Sequence, residues 1–134
     1  MEDPVKELLN RESWLRYRVL SDLGETSTEN SMHEVAYHDM LGNMHIRRLL
    51  DELNNWPGPV LKRHNDSKLL YHKLVFLVEL GVKAREPAIG NAISSILDSD
   101  SEEGPFRLPG NIPRAFGGTG TDEPMWMLCD APAV

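Results

Sequence analysis

Apolar side chains recur at helical spacing through the first two thirds of the chain and then lose that rhythm. Over Glu12–Leu23, Leu15, Val19, Leu20 and Leu23 share one face, and Gly24 stands where helices commonly stop. Arg18 and Asp22 are four apart on the polar side of that helix. Asp3 ahead of Pro4 predicts a short preceding helix, because proline at the first helical position gives up an N–H that has no partner anyway. The stretch Glu25–Asn30 has no apolar residue and predicts a mobile loop. A short helix over Ser31–Met40 is expected to bury Met32, Val35 and Ala36.

Ile46, Leu49, Leu50 and Leu53 give the clearest amphipathic pattern, spaced i, i+3, i+4, i+7. Arg47 with Asp51 and Arg48 with Glu52 are expected to pair on its outer face, and Trp56-Pro57-Gly58-Pro59 ends it. The next helix, Ser67–Leu80, is apolar nearly all round its axis, from Leu69 through Phe76 and Val78 to Leu80. Such a helix is expected to be covered on almost every side, with Asn65 or Asp66 capping its start and Gly81 its end. Pro87 opens another helix with Ile89, Ala92, Ile93, Ile96 and Leu97 on one face, running into the acidic stretch Asp98–Glu103.

Between Gly104 and Pro124 lie four of the nine prolines and five of the ten glycines, so no helix passes through. A long loop is predicted there, with short strands at Phe106–Leu108 and Ala115–Phe116. Phe106, Leu108, Ile112 and Phe116 are spaced to dock it over the mouth of the helical layer, and Arg107 and Arg114 to face the acidic stretch or a bound anion. Met125-Trp126-Met127-Leu128-Cys129 then reads as the start of a further helix, and Met125–Leu128 as an apolar cluster that drives self-association. The fold class this predicts is all-α, built from antiparallel helical hairpins in a single domain, residues 1–134.

Composition narrows the partners. A net charge of −7 disfavours nucleic acid, whose phosphates need Lys and Arg in excess. One cysteine cannot form a disulfide within the chain, which makes a reducing, cytoplasmic setting the expectation. Nor does any apolar run reach the roughly 18 residues of a membrane span.

A weak internal repeat relates Arg16–Gly24 (RYRVLSDLG) to Lys73–Gly81 (KLVFLVELG), and Gly58-Pro59-Val60 to Gly104-Pro105-Phe106. Each unit is a helix ending in Gly, an amphipathic helix, then a Gly-Pro-apolar turn, spanning 12–60 and 67–106 with a truncated third from about 125. The segments Ile93–Phe106 and Trp56–Asp66 carry a resemblance to squalene-cyclase and prenyltransferase repeats, in which the second helix runs into an acidic or amide-rich turn and Gly-x-aromatic. Residues 56–132 resemble uncharacterised prokaryotic proteins of that type. The resemblance implies part of an α/α toroid, with inner helices around a cavity. In function it implies an enzyme acting on an apolar or isoprenoid substrate, whereas the missing fourth Asp, the missing zinc set and the short length favour a non-catalytic binding or structural module.

Candidate chemistry is sparse. Asp98 and Asp100 fall short of the Asp-x-Asp-Asp acid motif of class II terpenoid cyclases, because Ser101 stands fourth, and they read first as a solvated helix end. Cys129 is a candidate nucleophile or a small buried hydrophobe. Cys129-Asp130 reverses the Asp-x-Cys order of prenyltransferase zinc ligands, with no histidine after it. His33, His38 and His45 also miss the i, i+4 spacing of a helical zinc pair, so no metal and no cofactor is predicted. Gly117–Thr121 lacks the Lys-Ser/Thr of a phosphate loop. Lys62, Arg63, His64, Asn65 and Asp66 form the ligand-binding candidate, because they lie ahead of the most apolar helix, whose N-terminus attracts anions, and Arg114 of the Gly/Pro loop joins them as a candidate anion partner. The predicted ligand is a small apolar or anionic molecule.

Overall fold

The computed structural model describes residues 3–24, 30–63, 66–99 and 106–126. Among these are six helices: α1 (Pro4–Leu9), α2 (Ser13–Leu23), α3 (Asn30–Gly42), α4 (Met44–Leu53), α5 (Leu70–Leu80) and α6 (Pro87–Asp98). Two strands, β1 (Arg107–Gly110) and β2 (Glu123–Trp126), follow them. The protein is therefore mostly helical but not all-α. The chain gathers into two compact units, Met1–Leu49 and Leu50–Val134.

In the first unit, α1 starts as proline and its cap dictate, with Asp3 Oδ1 accepting from the Val5 N–H at 3.0 Å. The helices α2 and α3 form an antiparallel hairpin. Asn43 beyond α3 reaches Glu12 ahead of α2, Asp39 meets Arg16, Tyr37 packs edge-on against Tyr17, and His33 bonds Ser21. Partners that descend along one helix as they ascend the other define opposite directions. Arg18 and Asp22 pair at 2.9 Å, as their spacing predicts. The expected loop Glu25–Asn30 lies outside the described residues save Asn30, which opens α3.

The buried face of α3 differs from the expected one. Ala36 is buried, but Met32 and Val35 are 60% and 61% exposed, while Tyr37 and Met40 are fully enclosed. The face turned inward is His33, Ala36, Tyr37, Met40, which also obeys i, i+3, i+4, i+7. Tyrosine and histidine present an apolar ring with one polar tip, so a face containing them buries well provided the tips find partners. On α2 the same preference enclosed Tyr17 and left Leu23 exposed. Asn43 separates α3 from α4 and caps the latter, its Oδ1 accepting from the His45 N–H at 2.9 Å. Within α4, Ile46 and Leu53 are buried.

In the second unit, Glu52 at the end of α4 forms an ion pair with Lys73 of α5. The start of α5 is later than expected, because Asp66 accepts from the Lys68 N–H at 2.9 Å and its carbonyl from Leu69, which makes a turn before Leu70. Gly81 ends α5 in the left-handed region at φ 98°, where a Cβ is strained. Leu70, Tyr71, Leu74, Leu77 and Leu80 of α5 are buried, together with Ala88, Ile89 and Ala92 of α6. Contrary to expectation α5 is not covered all round: Phe76 and Val78 remain exposed.

The Gly/Pro segment is an antiparallel hairpin, with Arg107 opposite Trp126 and Leu108 opposite Met125. Met125 and Trp126 thus belong to a strand, not to a third helical unit, and Met127, Leu128 and Cys129 lie outside the described residues. Alternation explains the choice. Leu108 is buried and Met125 half-buried on one face, while Arg107 lies over the Trp126 ring at 5.8 Å on the other. Leu61 adds a parallel bridge to β1, its N–H donating to the Pro109 carbonyl at 2.7 Å. The expected strand at Ala115–Phe116 is a 3-10 turn, in which the Phe116 N–H donates to the Pro113 carbonyl at 2.9 Å. Phe116 is 81% exposed and Ile112 also faces solvent, so of the four expected docking residues only Phe106 and Leu108 are turned inward. The Phe106 ring lies 6.0 Å from that of Tyr71 in α5.

Truncating Leu108 to Ala should cost about 2–5 kcal/mol, the range for a buried leucine. Phe116→Ala should stay within roughly 0.5 kcal/mol, as for a surface change. Urea denaturation of both variants checks this; a Phe116→Ala loss as large as that of Leu108→Ala would show the turn docked and the assignment wrong.

Candidate functional site

The polar candidates among the described residues all lie at the surface. Lys62 and Arg63 are exposed, and Asp66 is exposed with its carboxylate engaged by the Lys68 N–H. His64, Asn65, Asp100, Cys129 and Asp130 lie outside the described residues. Asp98 is exposed at the last position of α6. Arg114 braces its own loop, its Nε donating to the Thr119 carbonyl at 3.1 Å.

An open cleft of about 620 Å³ in the second unit is bordered by Asp98, Arg107, Asp122 and Glu123. Two of its carboxylates have structural work. Asp122 accepts from Asn111 Nδ2 at 2.8 Å, and Glu123 from the Thr119 hydroxyl at 2.7 Å. Those bonds fasten the connection between β1 and β2. A Cβ at Gly118 would collide with the Ile112 carbonyl, so the same connection depends on glycine there. Among the described residues no cluster of three or more His, Cys, Asp or Glu side chains could hold a metal ion.

Two features of the first unit were not legible as chemistry. The Ser21 hydroxyl lies 2.9 Å from His33 Nε2 and donates to the Tyr17 carbonyl at 2.9 Å. A hydroxyl has one proton, so the ring N–H donates to Oγ, which locks the hairpin rather than activating the serine. The His33 ring also stacks 4.9 Å from that of Tyr17. Beside it, Leu20, Met32 and Val35 line a groove of about 240 Å³ together with Arg16 and Asp39.

Among the described residues, an apolar concavity is lined by α5 and α6. Leu74, Val75 and Val78 form one wall and Ile93, Ile96 and Leu97 the other, around a volume of about 280 Å³. Tyr71 and Glu79 complete the lining. The leucines of α5 and Ile89 of α6 are buried, and the lining of the concavity runs from the buried Leu74 out to exposed Val78 and Leu97. Val78 is 48% and Leu97 69% exposed. Surplus apolar surface on both helices was visible in the sequence; that it forms one groove depends on which residues the core takes.

Replacing Arg114 by Ala should remove a single bond that fastens the connection between the strands, worth about 0.5–1.5 kcal/mol. Amide exchange at Gly117–Thr121 should accelerate while that of α5 and α6 stays unchanged, and exchange unchanged at Gly117–Thr121 would contradict the bracing role. Comparison of the chain with protein-family models, with curated proteins and with solved structures finds no match to any of them.

Proposed function

We propose that this chain is a non-catalytic helical binding module whose working surface is the groove between α5 and α6. The observation that carries the reading is the groove's composition: six aliphatic side chains from two helices, with Val78 about half and Leu97 largely open to water. Keeping such side chains in solvent forfeits about 1.5–3 kcal/mol for each that could be fully buried, which a partner would recover. An enzymatic reading, a cyclase or prenyltransferase acting on an isoprenoid chain, has less support. Asp98 is on the exposed end of a helix, whereas a cyclase acid works inside an enclosed apolar chamber.

The resemblance to squalene-cyclase and prenyltransferase repeats belongs to the same proposal. The antiparallel hairpin of α2 and α3 and the glycine-ended α5 suit units that stack into part of an α/α toroid. Cytoplasmic placement rests on the single cysteine. Among the described residues no helix is long and apolar enough to cross a membrane. Self-association through Met125–Leu128 loses part of its drive, because Met125 is half-buried in the hairpin and Trp126 packs beneath Arg107.

Titration with the neutral dye Nile red tests the reading. Its fluorescence should rise on the intact protein, and the double variant Val78→Asn/Leu97→Asn should weaken binding about tenfold, equivalent to ~1.4 kcal/mol. Both positions are exposed, so the fold should survive. No dye binding, or binding indifferent to the double variant, would reject the groove as a binding surface.

A further inference from the structure

We infer that Met125 is a redox-sensitive latch on the β1–β2 hairpin, a site where a peroxide converts the thioether to a sulfoxide and loosens the strands until the sulfur is reduced again. The inference does not rest on the α5–α6 groove; it comes from what the strand register puts against the sulfur.

Pairing sets the contact. Leu108 stands opposite Met125 and Gly110 opposite Glu123, so Leu108, Gly110 and Met125 share one face of the hairpin, with Gly110 the diagonal neighbour of Met125. Glycine leaves that diagonal position empty, and Met125 fills it. A Cβ built on Gly110 would lie 2.7 Å from Met125 Cγ, 3.0 Å from Cε and closer still to Sδ. Leu108 and Gly110 are buried, while Met125 is half-buried and keeps partial access to water. The register also places Pro109 opposite Pro124, and neither has an N–H. The ladder bonds therefore fall on the flanking pairs, Leu108 with Met125 and Gly110 with Glu123. Met125 is thus both the side chain that closes the inner face and a backbone partner in the pairing.

Oxidation acts on that contact. An S–O bond forms at Sδ as the O–O bond of hydrogen peroxide breaks; the sulfur gives up two electrons, and the other peroxide oxygen leaves as water. The product has a polar oxygen on an atom packed against Gly110. Backbone N–H groups nearby already have acceptors: that of Leu61 donates to the Pro109 carbonyl at 2.7 Å, and that of Asn111 to the Leu61 carbonyl at 2.8 Å. An acceptor buried without a donor is costly, so the sulfoxide turns out to water and takes the side chain off Leu108 and Gly110. Methionine sulfoxide reductases, one for each epimer, restore the thioether, two thiols becoming a disulfide and the oxygen leaving as water. Met32 and Met44 are exposed on α3 and α4, where a sulfoxide stays hydrated, and Met40 is fully enclosed. Among the described residues only Met125 combines partial access with a packed strand contact.

Peroxide titration, followed by peptide mass spectrometry and amide-exchange NMR, tests it. Met32 and Met44 should gain oxygen first, Met125 next and Met40 last. Once Met125 is converted, exchange at Leu108, Gly110 and Met125 should quicken at least about tenfold, while exchange in α2 and α3 changes by less than about twofold. The two reductases with a thiol should return the slow exchange. Met125→Leu keeps the bulk, a swap that packed sites tolerate, and should make hairpin exchange insensitive to peroxide. Complete conversion of Met125 with unchanged hairpin exchange would overturn the inference, as would the same peroxide response in Met125→Leu. So would acceleration spread equally over α2 and α3, the mark of general unfolding, or Met125 oxidising no faster than Met40. Exchange that stays fast after the sulfoxide is reduced would show damage and not a latch.

Discussion

A helix can bury only as much of its circumference as its neighbours cover, and α5 has more apolar circumference than that. Leu70, Tyr71, Leu74, Leu77 and Leu80 occupy the inward face and leave no room there for Phe76 and Val78. The amphipathic α6 has the same imbalance in milder form, with Ile89 and Ala92 enclosed and Leu97 outside. Each core residue that wins a place on the inner face fixes, through the helical period, which residues must stay out. The groove is the consequence of that arithmetic. The proposed binding function depends on it, because the polar candidates supply no convergent site among the described residues.

The second unit also contains a structure with little helical character that packs on its helices. Leu108 drives β1 inward, Phe106 reaches the Tyr71 ring, and Leu61 lends its backbone to the same strand. The connection between the strands fastens itself through Asn111, Thr119, Asp122 and Glu123. A segment rich in proline and glycine is thereby ordered without burying Ile112 or Phe116. It acts as a clasp on its own unit.

Much of the helical layout was legible. Pro4, Pro87 and Gly81 mark element ends that physics leaves few alternatives for, and the ladder Ile46–Leu53 could only be a helix. Faces were harder. Met32 and Val35 fit a helical core face by spacing, yet they stay outside α3's buried side because the ring of Tyr37 has more area to bury. The hairpin was only half visible, since Met125 follows Pro124 and an apolar run of that length suits strand and helix alike. The groove could not be read at all from spacing: it exists only once it is known which of many equivalent apolar residues went inside. Lys62, Arg63 and Asp66 looked convergent in sequence because they are adjacent, yet adjacency on a turn spreads side chains outward.

Methyl NMR with a soluble paramagnetic relaxation agent measures the central claim most directly, that the α5–α6 groove stands open in solution. The account predicts strong broadening of the Val78 and Leu97 methyl resonances, with those of Leu77 and Ile89, both fully enclosed, left sharp. Val78 and Leu97 methyls as protected as those of Leu77 would mean that the chain covers its own groove, and would contradict the account.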